Sequence, residues 1–185
     1  MFLIDMNFIS NALTLEQKKS TIANAAKAVM SVCVIAFLGA GVSSASAASL
    51  SRSTDVNGTP AMVWSVIGPY CAIKDWLPPV GACIEDGKSP PTRTLVTKDG
   101  KAAFVELQTA RNDAKHTYSY SFLSSPLPVT RYTSTIEVVA KGEGMSTVIW
   151  RGDYTPATGK ERDANDALSG VYEAGLETIK AKLSN

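Results

Sequence analysis

The strongest constraint on the fold is a single amphipathic stripe near the C-terminus, over residues 160–183. Small and apolar residues recur there at helical spacing and would share one face: Ala164, Ala167, Leu168, Val171, Tyr172, Gly175, Leu176, Ile179 and Leu183. Acidic residues occupy the first turn, and Lys180 and Lys182 close the last, which suits the helix dipole. No other stretch in the second half of the chain has this periodicity. We therefore expect the stripe to be buried against a β-sheet.

The residues between 80 and 154 predict short strands separated by turns. Six segments rich in β-branched and aromatic residues are bounded by Gly, Pro, Asn or Asp: 81–85, 92–97, 102–110, 116–123, 131–140 and 145–154. Asp99-Gly100 lies between two of them and is a strong hairpin signal. Successive hairpins make an antiparallel sheet, and residues 48–57 predict an edge strand that joins it.

Two short helices are predicted after the first strand. Thr59 can cap a helix whose first residue is Pro60, because proline lacks the N–H that would be unsatisfied there. That helix stops at Gly68, and a second helical piece over residues 70–76 ends before Pro78. The predicted fold class is α+β: a seven-stranded curved antiparallel sheet wrapped around a long C-terminal helix.

The width of the helix limits how this fold can be filled. An α-helix is about 10 Å wide, so it cannot occupy the whole concave face of a seven-stranded sheet. The remaining space is either packed with large side chains or is a ligand cavity.

The N-terminal segment, residues 1–47, predicts a cleavable signal peptide. Lys18, Lys19 and Lys27 precede the uncharged run 28–42, and small residues follow, with Ala45-Ser46-Ala47 as the cleavage site. A membrane anchor is the rival interpretation, but the run is short for a span and fades into Ser and Ala. We expect a mature α+β domain over residues 48–185, exported to the periplasm or outside the cell, without a stable membrane anchor. The translation start could be Met6.

The balance of charge limits the possible partners, and the cysteine content predicts a disulfide. Residues 48–185 carry 15 basic and 15 acidic residues, and this balance argues against nucleic acid as a partner. Cys33 lies in the segment that is removed, which leaves Cys71 and Cys83. We expect these two to form a disulfide worth about 3 kcal/mol in an oxidising compartment, the alternative being two buried thiols.

The order of elements and several short motifs resemble the helix-grip fold of the START-like, or SRPBCC, superfamily. This superfamily includes pollen-allergen-type ligand carriers and the polyketide cyclase/dehydrase group. The residues that carry the resemblance are Val63-Trp64, Ile67-Gly68-Pro69-Tyr70, Asp75-Trp76-Leu77-Pro78, Tyr118-x-Tyr120, Pro126-Leu127-Pro128, Tyr132 and Val148-Ile149-Trp150. The resemblance covers residues 50–183 and implies a cavity between the sheet and the long helix. It implies no catalytic residue, because the superfamily shares no single catalytic motif.

Candidate cavity residues follow from the strand pattern and the resemblance: Glu106, Tyr118, Tyr120, Tyr132, Trp150 and Tyr172. Glu106 is a candidate because strand alternation permits it, like Arg131, to point toward the cavity or toward solvent. Of these two orientations we expect the solvent-facing one for both residues. His116 is the single histidine, and we expect it near a strand end, partly solvated, rather than as a catalytic base. No nucleotide-binding, nucleophile-elbow or metal-binding motif occurs, so neither a cofactor nor a metal is predicted.

Three functions compete. The first is an exported protein that binds a hydrophobic or amphipathic small molecule in the cavity. The second is a cyclase/dehydratase-like or isomerase-like enzyme, which requires at least one carboxylate or histidine inside the cavity with a shifted pKa. The third is an accessory protein that binds an exported protein partner, which an exposed apolar patch around residues 126–128 or 77–79 would support. We rank them in this order.

Overall fold

The structure, a computed structural model, describes residues 46–184 and has the predicted α+β architecture. The strands are β1 Ala48–Asn57, β2 Val80–Glu85, β3 Thr92–Thr97, β4 Ala103–Asn112, β5 Thr117–Ser124, β6 Val129–Gly142 and β7 Met145–Pro156. The helices are α1 Pro60–Ile67, α2 Ile73–Trp76 and α3 Glu161–Lys182, with 3₁₀ turns at Tyr70–Ala72 and Asp113–Lys115. The strands form one antiparallel sheet in the order β1-β7-β6-β5-β4-β3-β2. The predicted signal peptide lies, apart from its last two residues, outside the described residues.

Local chemistry sets the start of α1 as predicted. The Thr59 side chain accepts a hydrogen bond from the backbone N–H of Met62, and Pro60 opens the helix. The helix ends at Gly68, where a Cβ would overlap the ring of Trp64. Trp64 is therefore packed over the end of its own helix, and its indole N–H donates to Asp113 at 2.9 Å.

The helices cover different parts of the concave face. Helix α3 packs mainly over β1 and β7, where Arg52 of β1 forms an ion pair with Glu173 at 2.9 Å. Helix α2 packs on β2, at the opposite edge of the sheet. Large side chains fill most of the space between them, and the fully buried aromatic ones are Trp76, Tyr118, Tyr120, Trp150 and Tyr172.

Gly175 allows α3 to approach these aromatic residues closely. A Cβ at this position would lie 2.9 Å from the Trp150 ring and 3.3 Å from the Trp76 ring. The two indoles meet edge to face, with centroids 5.5 Å apart. Gly170, on the same helix, has open space around it.

The predicted disulfide is present. Cys71, in the 3₁₀ turn before α2, is bonded to Cys83 of β2, and their Cα atoms are 5.5 Å apart. The bond ties residues 70–79 to the edge of the sheet. This segment forms one wall of the cavity described next.

Candidate functional site

A partly open, mainly apolar cavity of about 160 Å³ lies between the sheet, α2 and α3. Helices and the segment after α2 contribute five side chains: Ile73, Leu77, Pro79, Leu168 and Val171. The sheet and the loop before β6 contribute ten: Val80, Leu95, Thr97, Phe104, Glu106, Tyr120, Phe122, Leu127, Tyr132 and Trp150. Large side chains thus fill most of the concave face, and a cavity remains.

The volume limits the size of any occupant. A cavity of about 150 Å³ holds one benzene molecule, whereas sites for drug-sized ligands measure about 300–1,000 Å³. In this conformation the cavity therefore accommodates a molecule with a single ring, and not an acyl chain of lipid length or a fused-ring system.

Four of the six predicted cavity residues line the cavity: Glu106, Tyr120, Tyr132 and Trp150. The other two, Tyr118 and Tyr172, are buried but do not line it. Tyr172 of α3 stacks on Trp150, with ring centroids 4.2 Å apart, and so forms the support of one cavity wall. Tyr118 packs against Trp64 and Tyr70 at the α1 end of the core.

The charged side chains at the site form a buried ion pair between two adjacent strands. Arg93 and Glu106 lie opposite each other on β3 and β4, and Arg93 Nε donates to Glu106 Oε2 at 2.6 Å. The exposed fractions of the two residues are 0% and 4%. The prediction that Glu106 faces solvent is therefore wrong. Because Arg93 lies opposite, this face of β4 can bury a carboxylate.

The same arginine holds the segment before α2 in place. Its guanidinium donates to the backbone carbonyl of Tyr70 and lies over the Tyr70 ring, 4.0 Å from the centroid. The Tyr70 hydroxyl in turn donates to the backbone carbonyl of Glu106 at 3.3 Å. The ion pair thus stabilises the wall of the cavity as well as the sheet.

Burial and pairing act on the titration of this pair in opposite directions. Burial raises the pKa of Glu106 above its ordinary value, and the positive charge and hydrogen bond of Arg93 oppose that rise. Burial alone would lower the pKa of Arg93, but Glu106 and the neighbouring tyrosines raise it, so the guanidinium stays charged. In the described part of the chain, Arg93 is therefore the one group that favours the ionised form of the buried Glu106 carboxylate.

Sequence reasoning missed Arg93 and Gln108, which are both buried. Among residues 46–184, four buried side-chain atoms have no hydrogen-bond partner: Trp76 Nε1, Arg93 Nη2, Gln108 Nε2 and the Tyr118 hydroxyl. The available signal was the phase of β3, in which Arg93 and Leu95 share one face. Strand β4 has apolar residues on both faces, so its alternation did not show which way Glu106 points.

A chain of hydroxyl groups runs along one side of the cavity. The Tyr132 and Tyr172 hydroxyls are 2.7 Å apart, and Tyr172 lies 3.0 Å from Ser134 Oγ. Trp150 Nε1 donates to Ser134 Oγ at 2.9 Å and lies 3.2 Å from the Tyr120 hydroxyl. Burial raises the pKa of all three tyrosines, that of Tyr172 to about 12, so each is protonated at neutral pH.

Two predicted polar residues lie away from the cavity, as expected. His116 is partly exposed at the end of the 3₁₀ turn before β5, packed edge to face on Trp64. Arg131 is exposed on β6, where the register with β7 shifts, and it donates to the Thr155 hydroxyl at 3.0 Å. A general-base role for His116 inside the cavity has no support in this geometry.

A surface groove of about 380 Å³ lies beside the cavity, lined by residues 122–125 and 129–132. Phe122 and Tyr132 line both spaces, and their rings stack with centroids 3.9 Å apart. This stacked pair is the part of the wall that the cavity and the groove share.

Neither a metal site nor a membrane span is found in the part of the chain that the structure describes. Residues 46–184 contain no group of three or more His, Cys, Asp or Glu side chains arranged to hold an ion. Within the same residues, every helix is too short or too polar to cross a bilayer.

The curved antiparallel sheet, the long C-terminal helix and the cavity between them define a helix-grip protein with a ligand-binding or cyclase-like fold. The sequence profile of the family described as "Polyketide cyclase / dehydrase and lipid transport" matches residues 47–184. The chain belongs to this family, in agreement with the resemblance noted from the sequence.

Solved structures show the same architecture. The protein XoxI from Bacillus cereus is 30% identical, with a TM-score of 0.70 over 75% of this chain and 96% of that one. A norcoclaurine synthase from Thalictrum flavum is 15% identical, with a TM-score of 0.61 over 73% and 92% of the two chains. The Zhui aromatase/cyclase from Streptomyces is also 15% identical, with a TM-score of 0.60 over 75% and 94%. At this identity the two enzymes share only the fold, and no curated protein sequence matches the chain.

Proposed function

We propose that this protein is exported and that its cavity binds a small apolar or amphipathic molecule without transforming it. The observation that carries the proposal is the cavity of about 160 Å³, whose walls are mainly aliphatic and aromatic. The apolar walls favour an apolar occupant, because the occupant restores the dispersion contacts that they lack.

Access to the cavity would pass through the wall that it shares with the surface groove. Phe122 is only partly buried, and stacking is the contact that holds its ring against Tyr132. Rotation of this side chain would open the cavity to the groove. Exchange of a small ligand therefore needs no separation of α3 from the sheet.

Toluene titration, followed by solution NMR, tests binding directly. We expect a Kd of about 0.1–1 mM, which is reasonable for a ligand of so few atoms. Val171→Phe places a ring in the cavity and should abolish binding. Val66→Phe is the matched control, because Val66 is exposed on α1 and does not line the cavity. Failure of the wild-type protein to bind either toluene or phenol, or equal toluene binding by both variants, would refute the proposal.

Export rests on residues 1–47 and is supported by the Cys71–Cys83 disulfide, since disulfides persist in oxidising compartments. Mass spectrometry of the protein recovered from the cell envelope or medium should give a mature chain beginning near Ala48. Recovery of the full-length chain from the cytoplasm, with both cysteines reduced, would contradict export.

A second candidate is an enzyme of the cyclase/dehydratase or isomerase kind, and one observation favours it. Glu106 is a carboxylate inside an apolar cavity, with burial raising its pKa, as a general base requires. The carboxylate would accept a proton from the carbon beside a carbonyl and return one to the same carbon. Incubation of acetophenone in D₂O should then give Glu106-dependent deuterium exchange, absent in Glu106→Gln. No exchange above the buffer rate would remove this candidate.

A further inference from the structure

The hydroxyl chain has a direction that follows from counting protons. Ser134 Oγ lies 2.7 Å from the backbone carbonyl of Arg151, and a carbonyl can only accept, so the single Ser134 proton is donated there. Tyr172 must therefore donate its own proton to Ser134. It follows that Tyr132 donates to Tyr172 across the 2.7 Å contact.

This direction leaves one proton uncommitted. The Tyr120 hydroxyl lies 3.5 Å from that of Tyr132, beyond the 2.5–3.0 Å range of O–H···O hydrogen bonds. Trp150 Nε1 donates toward Tyr120 and takes up none of its donor capacity. Tyr120 is buried and lines the cavity. Its hydroxyl is therefore a donor available to an occupant of the cavity.

Glu106 provides the complementary acceptor. Its Oε2 accepts from Arg93, whereas its Oε1 forms no hydrogen bond within residues 46–184, and Glu106 lines the cavity. Because Arg93 already balances the charge of the carboxylate, a cationic ligand would leave a net positive charge in an apolar space. An anionic ligand would lie against the carboxylate itself. Both charged classes are disfavoured.

We propose that the cavity selects a neutral, hydroxyl-bearing single-ring aromatic molecule, a small phenol, with the ring held by the apolar wall and the polar end between Tyr120 and Glu106. This inference rests on the proposed binding function. A phenolic hydroxyl both accepts and donates, so it satisfies the free Tyr120 proton and the free Glu106 oxygen. A hydrocarbon of the same size satisfies neither.

Calorimetric or NMR titration of the purified protein with toluene, phenol, benzoate and benzylammonium tests the selection. Toluene and phenol have equal numbers of heavy atoms, and we expect phenol to bind about tenfold more tightly. Benzoate and benzylammonium should bind at least about tenfold more weakly than phenol, because a charge would be desolvated without a partner.

The variant Tyr120→Phe should reduce the phenol-to-toluene affinity ratio to about 1, because it removes the hydroxyl that would donate to phenol. Tyr154→Phe is the matched control, because Tyr154 is buried but does not line the cavity, and its ratio should stay at the wild-type value. Equal binding of phenol and toluene by the wild-type protein overturns the inference and leaves the proposed function standing. Tighter binding of benzylammonium than of phenol also overturns it, whereas binding of none of the four probes refutes the proposed function itself.

Discussion

Replacement of Arg93 by methionine should be among the most destabilising single changes in the domain. Methionine fills most of the volume of the arginine stem but leaves the carboxylate of Glu106 buried without its partner at 2.6 Å. Breaking a fully buried pair on one side costs about 3–5 kcal/mol, a large share of the stability of an ordinary domain. The loss of the Arg93 contacts to Tyr70 also loosens the segment before α2.

The loss of stability caused by Arg93→Met should increase as the pH rises. Burial already raises the pKa of Glu106, and without Arg93 nothing opposes that rise. A raised folded-state pKa favours the protonated carboxyl, so the variant is least affected below the ordinary value of 4.5. Its deficit grows as the pH rises above 4.5 and reaches its full size once the pH exceeds the raised folded-state pKa.

Urea unfolding followed by tryptophan fluorescence measures the effect. At about pH 8 the Arg93→Met variant should lose about 2 M in its urea midpoint, and at about pH 4.5 much of that loss should be recovered. The double variant Arg93→Met, Glu106→Leu should return to within about 1–2 kcal/mol of the wild type, because it leaves no buried charge unpaired. A single-variant loss below about 1 kcal/mol, or a double variant no better than the single one, would refute the reasoning.

Three further changes distinguish close packing of α3 from the constraint that the disulfide places on the chain. Gly175→Ala should lower the free energy of unfolding by about 1–3 kcal/mol in thermal unfolding, because its Cβ would press on two tryptophans. Gly170→Ala, on the open face of α3, should raise the free energy of unfolding by about 0.5–1 kcal/mol. A gain at both positions would show that α3 does not approach the sheet closely. Reduction of Cys71–Cys83 should cost about 3 kcal/mol, read as a lower urea midpoint with the fold retained. An unchanged urea midpoint would contradict the expectation that the disulfide stabilises the fold.

The fold was predictable because its signals are local and agree with one another. The stripe on α3, the cap at Thr59 and the hairpin at Asp99-Gly100 each appear within a few residues of sequence. Four strands run longer than predicted: β2 begins one residue earlier, at Val80, and β4, β6 and β7 continue past residues 110, 140 and 154, respectively. Antiparallel pairing supplied by a neighbouring strand extends them, and a single strand's pattern does not contain that information.

The site was only partly predictable, because it depends on register. Tyr120, Tyr132 and Trp150 could be placed inside from their strand phase. The orientation of Glu106 is decided by Arg93 on the neighbouring strand, and which residues face each other across β3 and β4 is a property of the pairing. The size of the cavity likewise depends on the position of α3 relative to the sheet.

The central claim is that the sheet and α3 enclose a space large enough for one small molecule. A crystal structure of the protein under xenon pressure tests it most directly, because xenon enters apolar cavities of this size and leaves close-packed interiors empty. We expect a xenon atom among Leu95, Phe122 and Leu168, which come from β3, β5 and α3 and line the cavity. A structure in which these side chains are in mutual contact, with xenon absent from the interior, would contradict the account.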